Sequence, residues 1–395
     1  MGAFLWLEGA LALSMGYLLA LLMAARDATH ESSPPSASSS RLGLRFIVLV
    51  PAHDEQSGIG TTLSSLLSCD YPDAARRILV IADNCTDRTA DCAMQAGVEV
   101  WARTDPARHG KGFALAWALK RLQAEGADFD AVVMLDADCT VSPNMLSAID
   151  RRLRAGASAL QVDYVAANPG ASHASALRFG GFALMNTVRF KGKQRLGLSC
   201  GLVGTGMAFT RDLLGREPWT TTGLVEDGEY HMRLVQAGER AEFVPEAWVS
   251  SAVPTSMRGS SVQQARWEQG KLELIRHWSP QLVSSGVLRR DIVRLHAGLE
   301  CLVPPQSLIA AGSAGAMLAG LLLGSKRLVS LAAATLAAQL AFVLAGLRLV
   351  RAPAPVYRAL LLAPALIAGK VVLYIRLLGG RGPTSWVRTE REASP

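Results

Sequence analysis

Five short apolar runs, FIVLVPA, ILVIAD, VEVWA, AVVMLDAD and SALQVDYV, punctuate residues 46–165. They are continuous rather than alternating, as strands covered on both faces should be. Helical stretches separate them. In GKGFALAWALKRLQAEG, Phe113, Trp117 and Leu122 fall on roughly one face. This alternation predicts βαβ units and a mostly parallel, Rossmann-like sheet, an α/β fold, across residues 46–280.

Longer apolar stretches flank this region. Residues 3–25 are apolar except for Glu8, long enough to span a bilayer. A signal peptide would want a basic leading segment, and MGAFLWLEG has none. Arg26, Arg41 and Arg45 follow, so the positive-inside rule puts the N-terminus outside and the chain after residue 26 in the cytosol. ESSPPSASSS makes residues 27–45 a flexible Ser/Pro linker. In 286–300, Leu288, Ile292, Leu295 and Leu299 share a helical face, with Arg289, Arg290 and Arg294 elsewhere. This predicts an amphipathic interfacial helix over 281–300, or else a surface helix of the soluble domain.

Two stretches, 302–324 and 328–347, can span, giving two transmembrane helices within 301–350. A third, 354–378, carries Arg358, Pro364, Lys370 and Arg376, and charges inside a span are costly. Arg376, Arg381, Arg388 and Arg391 mark a basic tail that belongs in the cytosol. Three spans with 354–378 lying in the interface put it there; four spans put it outside. The chain is thus expected to be an integral protein of the plasma (inner) membrane, its α/β domain cytosolic and its helices against membrane lipids.

Composition agrees. Half of the residues are hydrophobic and the mean hydropathy is +0.23, high for a soluble enzyme. A net charge of +7 suits anionic lipid headgroups or anionic substrates. No basic stripe with interleaved aromatics or zinc-finger spacing points to nucleic acid. Cys69, Cys85, Cys92, Cys139, Cys200 and Cys301 form no CxxC and read as small packing residues.

Three of the apolar runs end in polar residues: His53-Asp54-Glu55, Asp83-Asn84 and Asp136-Ala137-Asp138. Ligands of parallel α/β sheets bind beyond the carboxyl ends of strands, so three coincidences mark one rim. Asp136 and Asp138 are a stiff carboxylate pair suited to Mg2+ or Mn2+ and a phosphorylated substrate; a turn role is the alternative. Asp83 can accept a hydrogen bond from a nucleotide base, while Asp87 has the position of a residue satisfying helix N-terminal donors. Lys111, in RHGKGFA, can approach a phosphate, although the segment is no Walker A sequence. Glu226 and Asp227 precede a helical stretch, where acids are commonplace; as chemistry, one would take a proton from an acceptor hydroxyl. In QQARWEQGK, Gln263, Arg266 and Trp267 offer a phosphate contact and a sugar platform, or a helix packed with its Trp inward.

Taken in order, these segments resemble the family 2 glycosyltransferases, the membrane-bound enzymes that include cellulose, chitin, hyaluronan and poly-N-acetylglucosamine synthases. VPAHDE looks like that family's VPAxNE, with Asp54 in place of Asn. ADNCTDRT resembles its DDxSxD segment, with Cys85 and Thr86 as departures. DAD matches DxD, VED resembles TED with Val225 for Thr, and QQARW fits QxxRW. GTGMAF, residues 204–209, is similar to the acceptor-side loop, and SWVRTER, 385–391, to a tail motif. The resemblance implies a GT-A fold, a nucleotide-sugar donor, commonly a UDP-sugar, and a divalent cation, Mg2+ or Mn2+. It also implies transfer with inversion. By the same resemblance, Pro51, Asp54, Glu55, Asp83, Lys111 and Asp136 lie on the nucleotide-sugar side. Asp138 holds the metal, Asp227 with Glu226 does the acid–base work, and Gln263, Arg266 and Trp267 line the acceptor and diphosphate side.

The leading expectation is addition of sugars to a growing polysaccharide at the cytosolic face. Alternatives are single transfer to a lipid acceptor and, from another class, a non-catalytic nucleotide-sugar-binding membrane protein. Two or three spans offer little for a polymer channel, so an exported product would call for an export partner.

Overall fold

The structure, a computed structural model, describes residues 1–27, 43–256 and 261–379, and only the backbone of 261–263 and 378. Residues 28–42 of the linker and the SWVRTER tail lie outside the described residues.

An eight-stranded sheet of order β3-β2-β1-β4-β7-β6-β8-β5 forms the centre. β1 (Phe46–Ala52) pairs in parallel with β2 (Arg76–Asp83) and β4 (Ala131–Met134), and β2 with β3 (Glu99–Arg103). Alternate residues point to opposite faces. Val48, Val50, Val80 and Val133 pack with α2 (Ile59–Leu67) and α5 (Met145–Arg154). Ile47, Leu49, Ile81 and Val132 pack with α4 (Lys111–Ala124) and α9 (Glu226–Ala237). Burial on both faces is why these runs are uninterrupted in sequence. The expected apolar face of α4 is corrected: Ala114, Leu115, Ala118 and Leu122 are buried, and Phe113 and Trp117 flank them half-buried. Small side chains let this helix lie close on the sheet.

The other half of the sheet is mixed. β7 (Met207–Thr210) runs antiparallel to β4 and to β6 (Ala159–Ala166), while β6 is parallel to β8 (Ala241–Ser251). β5 (Cys139–Val141) lines the edge antiparallel to β8. Strand direction follows from where each connection re-enters the sheet, which a four-residue run such as MAFT does not encode.

Outside the sheet, α1 (Gly2–Asp27), α13 (Gln306–Leu322) and α14 (Lys326–Leu349) pack side by side. Glu8, the lone charge of the first apolar stretch, is buried and accepts a hydrogen bond from Ser313 Oγ at 2.9 Å. Among the described residues, three helices are long and apolar enough to cross a membrane, Gly2–Arg26, Lys326–Leu349 and Ala354–Leu377; a fourth candidate is the pair Ile292–Cys301 and Gln306–Leu322, bent by 62°. Two expectations change here. The 302–324 stretch starts its helix only at Gln306, because Pro304 and Pro305 precede it. The single amphipathic helix over 281–300 is two, α11 (Ser279–Arg289) and α12 (Ile292–Glu300), broken where Arg290 turns left-handed at φ +53°. Gly286 against Leu295 and Gly298 against Val283 let the two fold tightly back to back. Val287, Leu288, Ile292 and Leu299 stay exposed, whereas Arg294 is buried and bonded to Asp291 and the Gln236 carbonyl.

Candidate active site

The rim forms where β1, β2 and β4 end. The His53 ring donates to the Asp83 carbonyl at 2.8 Å. Asp54, at φ +53°, accepts from the Thr86 N–H at 2.7 Å and the Asp87 N–H at 3.2 Å. These bonds hold its carboxyl below the ordinary range against the opposing effect of burial. Asp87 accepts from the Gln56 and Thr89 amides, the role expected of it, at the start of α3 (Thr89–Gln95). Asp54, Cys85 and Asp87 lie together, but these two carboxylates are engaged in joining the loops. Pro51 and the buried Glu55 bracket this turn, and the Glu55 N–H donates to Thr89 Oγ1 at 2.7 Å. Asp83 is buried and bonded to the equally buried Arg103 and to Asn84 Nδ2. Arg103 also meets Asp105 at 3.0 Å and the Arg108 carbonyl at 3.0 Å, so it fixes both the carboxylate and the loop leading to Lys111.

β4 stops at Met134, and the next residues make a tight turn carrying Asp136 and Asp138. The Asp136 N–H donates to Thr205 Oγ1 at 3.1 Å, and the Ala137 carbonyl accepts from Thr62 Oγ1 at 2.8 Å. Ligand atoms of Asp136, Asp138 and Cys139 converge. Burial raises the Cys139 thiol well above its ordinary pKa. The two hard carboxylates fit Mg2+ or Mn2+ and leave other positions to phosphate oxygens and water.

Lys111 is placed differently from a free phosphate contact. Its ammonium bonds Asp136 and donates to the Gly204 carbonyl at 2.5 Å. Burial disfavours its charge, but Asp136, Glu226 and Asp227 outweigh that and raise its pKa. Gly204, at φ +87°, leaves room for Asp227 and Lys111, where an added methyl group would sit 3.4 and 3.5 Å from their polar atoms. Gly112 likewise lets α4 approach the Thr221 carbonyl.

Glu226 and Asp227 open α9. Burial and the neighbouring Asp227 push the Glu226 carboxyl up to about 7, and burial also raises Asp227. Asp227 Oδ1 accepts the Gly228 N–H at 2.8 Å. A carboxylate raised toward neutrality is suited to proton transfer. On α10 (Ser261–His277), burial lowers the Arg266 pKa while the charges of Glu226, Asp227 and Asp136 oppose it. Arg266 Nε is buried without a hydrogen-bond partner among the described residues. Trp267, 37% exposed, packs on Phe182 of α6 (His173–Phe182) at 6.2 Å, and Phe182 on Tyr164 at 5.4 Å. Gln263 is on α10 too, but its side chain lies outside the described residues.

Arg103, Tyr164, Phe182 and Gln161 are absent from the sequence-derived set. Gln161 donates to the Thr205 carbonyl at 2.8 Å and accepts from the Val203 N–H at 3.0 Å, supporting the GTG turn from beneath. Its signal was available: a polar residue inside an apolar strand run.

A mixed sheet with carboxylates at its strand ends, two acids at a helix start and an arginine on a neighbouring helix make up the candidate site of this α/β domain. Residues 44–270, more than half of the chain, match the family described as glycosyltransferase like family 2, and the chain belongs to that family. It is 25% identical over 237 residues to a probable glycosyltransferase YdaM of Bacillus subtilis (56% of this chain, 54% of that one). It is 26% identical over 262 residues to an N-acetylglucosaminyltransferase of Rhizobium meliloti (61% and 60%). The chain thus spans a little over half the length of these curated relatives. A solved mannosyltransferase from Pyrobaculum calidifontis, in complex with GDP-Man and Mn2+, shares the fold: TM-score 0.58, 20% identity, covering 86% of this chain and 97% of that one. The chain is thus a glycosyltransferase family 2 member with the GT-A fold.

Proposed function

We propose that this protein is a membrane-bound inverting transferase that moves a sugar from a nucleotide-diphosphate sugar, a UDP-sugar, to a growing polysaccharide at the cytosolic face. The observation that carries the reading is convergence: Lys111 bonds Asp136, the Asp227 carboxylate and the Lys111 ammonium flank the same Gly204, Asp138 lies beside Asp136, and the charges of Glu226, Asp227 and Asp136 all act on Arg266. Asp83 and the loop tied by Asp54 take the nucleotide. Asp138, with Asp136 beside it, would hold a Mg2+ or Mn2+ ion, which would supply positive charge for the leaving diphosphate. Asp227 accepts the proton of the acceptor hydroxyl as its oxygen attacks the sugar C1 and the C1–diphosphate bond breaks, with burial and the nearby Asp136 keeping that carboxylate basic. The orphaned Arg266 guanidinium nitrogen meets the departing phosphate. Trp267 and Phe182 form the platform for the acceptor sugar.

The helix packing supports the three-span arrangement. Leu18, Leu22, Ile309 and Phe342 gather against Leu184 and Val188 of the catalytic domain, while Leu5, Ala316 and Leu328 meet at the opposite end. α1, α13 and α14 therefore lead away from the domain together. At 26 and 24 residues, α1 and α14 reach about 36–39 Å, enough for a hydrocarbon core of about 30 Å, while the 17 residues of α13 reach about 26 Å and complete a span only with the bent α12. Residues 354–377 behave otherwise. Val356 and Ala359 of α15 (Ala354–Ala359) pack on Ala176 of α6, and Lys370 of α16 (Ala363–Leu378) reaches Glu268 of α10. A crossing segment would carry one end about 30 Å away, so this one lies along the domain at the interface.

Release of UDP decides the reading: a panel of UDP-sugars, with Mg2+ or Mn2+, in native-like membranes. One donor should turn over, with loss of turnover on chelation and in Asp227→Asn. UDP-sugar binding without turnover would favour the non-catalytic alternative. A second reading, single transfer to a lipid, draws on the contact of the acceptor helix with membrane-side α16. Product size in the same assay separates it from polymer, and an exported polymer would require a partner.

A further inference from the structure

Glu268 follows Trp267 directly on α10, yet its carboxylate points away from the reaction centre toward α16. Lys370 Nζ lies 2.6 Å from Glu268 Oε1, and the Tyr374 hydroxyl donates to Oε2. Lys370 and Tyr374 are four residues apart, so one helical face delivers both. Side-chain exposure is 12% for Glu268 and 17% for Lys370, so water screens the pair little. The opposite face of α16 presents Val372 and Ile375, exposed at 49% and 65%, and Leu361 in the turn before it is exposed at 84%. α16 also packs beside α13, one of the helices read above as crossing the bilayer. An apolar face continuous with crossing helices has lipid as its occupant.

From Glu268 the mechanical path to the chemistry is short. One turn holds Arg266, Trp267, Glu268 and Gly270. Gly270 sits on Val225, the residue before Glu226 and Asp227. Lys271 Nζ donates to the Val303 carbonyl at 2.8 Å, a second tether from α10 to the α12–α13 link. α10 thus bridges the membrane-side layer and both halves of the catalytic apparatus.

We propose that α16 rests on the bilayer surface and grips Glu268 through Lys370 and Tyr374, making Glu268 a positioning residue that sets Arg266 and Trp267 over the acceptor site. None of the three touches the reacting atoms. The clamp itself is independent of the transferase reading; its effect on turnover rests on that reading.

The test uses the full chain in phospholipid nanodiscs, as wild type, Lys370→Met, Glu268→Gln and the exchanged pair Glu268→Lys with Lys370→Glu. Amide hydrogen exchange across 264–277 should rise at least about tenfold in each single variant and return to within about threefold of wild type in the exchanged pair. Unchanged exchange in the singles, or no recovery in the pair, overturns the clamp. With the donor that supports UDP release, the singles should keep donor KM within about twofold and lose about tenfold in kcat, recovered by the exchanged pair. Altered exchange with unaltered kcat overturns the positioning role. A wild type that turns over no donor counts against the transferase reading instead, and hydrogen exchange still decides the clamp.

Discussion

Gly270 on α10 and Val225 at the start of α9 share one small space: a methyl group added to Gly270 would overlap both γ-carbons of Val225. The VED and QQARW segments, 38 residues apart between Val225 and Gln263, are fitted to each other here. Gly270→Ala should therefore push α10 off α9. The expected cost is about 1–3 kcal/mol of stability and a loss in kcat larger than that in donor affinity. Val225→Ala in the same chain should relieve both, which thermal unfolding and UDP-release kinetics of the single and double variants will show.

Lys111 stands among three carboxylates and is the cation nearest to Asp136. Lys111→Met leaves them to repel one another. A stability loss of about 2 kcal/mol is expected, at the low end for a broken buried pair because Asp136 is 38% exposed. Addition of Mn2+ should recover part of that loss in a thermal-shift measurement, and more of it than in wild type, since the metal then supplies the missing positive charge.

His231, buried on α9 with Nε2 2.7 Å from Ser199 Oγ, gives the fold a pH dependence. Burial, then the Lys193 charge, push it down to about 3, with His296 adding and Glu300 opposing. Between that value and its unfolded pKa of about 6.5 the unfolded chain binds more protons, so stability rises with pH. The His231 contribution is complete above about pH 6.5 and falls by about 1.4 kcal/mol per unit as pH drops toward 3. His231→Gln should flatten this part of the curve in unfolding measured from pH 4 to 7.

The depth of α16 is open to direct measurement. A phospholipid with a photoreactive group near its headgroup should label residues 361–375. One reactive at its acyl terminus should instead label α1 and α14. Acyl-terminal labelling of Val372 and Ile375 would place α16 across the bilayer.

The strands β1, β2 and β4 and their acidic ends were legible because a strand buried on both faces must be apolar throughout, so the polar residue that ends it stands out. Asp136, Asp138, Glu226 and Asp227 could be nominated on that ground and by resemblance. Lys111 was nominated too, but as a phosphate contact; only the fold brings it onto Asp136 and the Gly204 carbonyl. Arg103 was missed because its partner Asp83 lies on the neighbouring strand. The break at Arg290 was hidden by an amphipathic pattern that runs through it.

By itself, the sequence determined the apolar periodicities, and with them the α/β centre, the candidate membrane helices and the carboxylates on the rim. These are local properties, written in consecutive residues. The antiparallel insertion of β7, the buried Asp83–Arg103 pair, the fit of Gly270 under Val225 and the grip of Lys370 and Tyr374 on Glu268 were decided by tertiary structure alone. Each depends on the distance between residues remote in the chain, which is set by how the helices and sheet pack together and not by any local pattern.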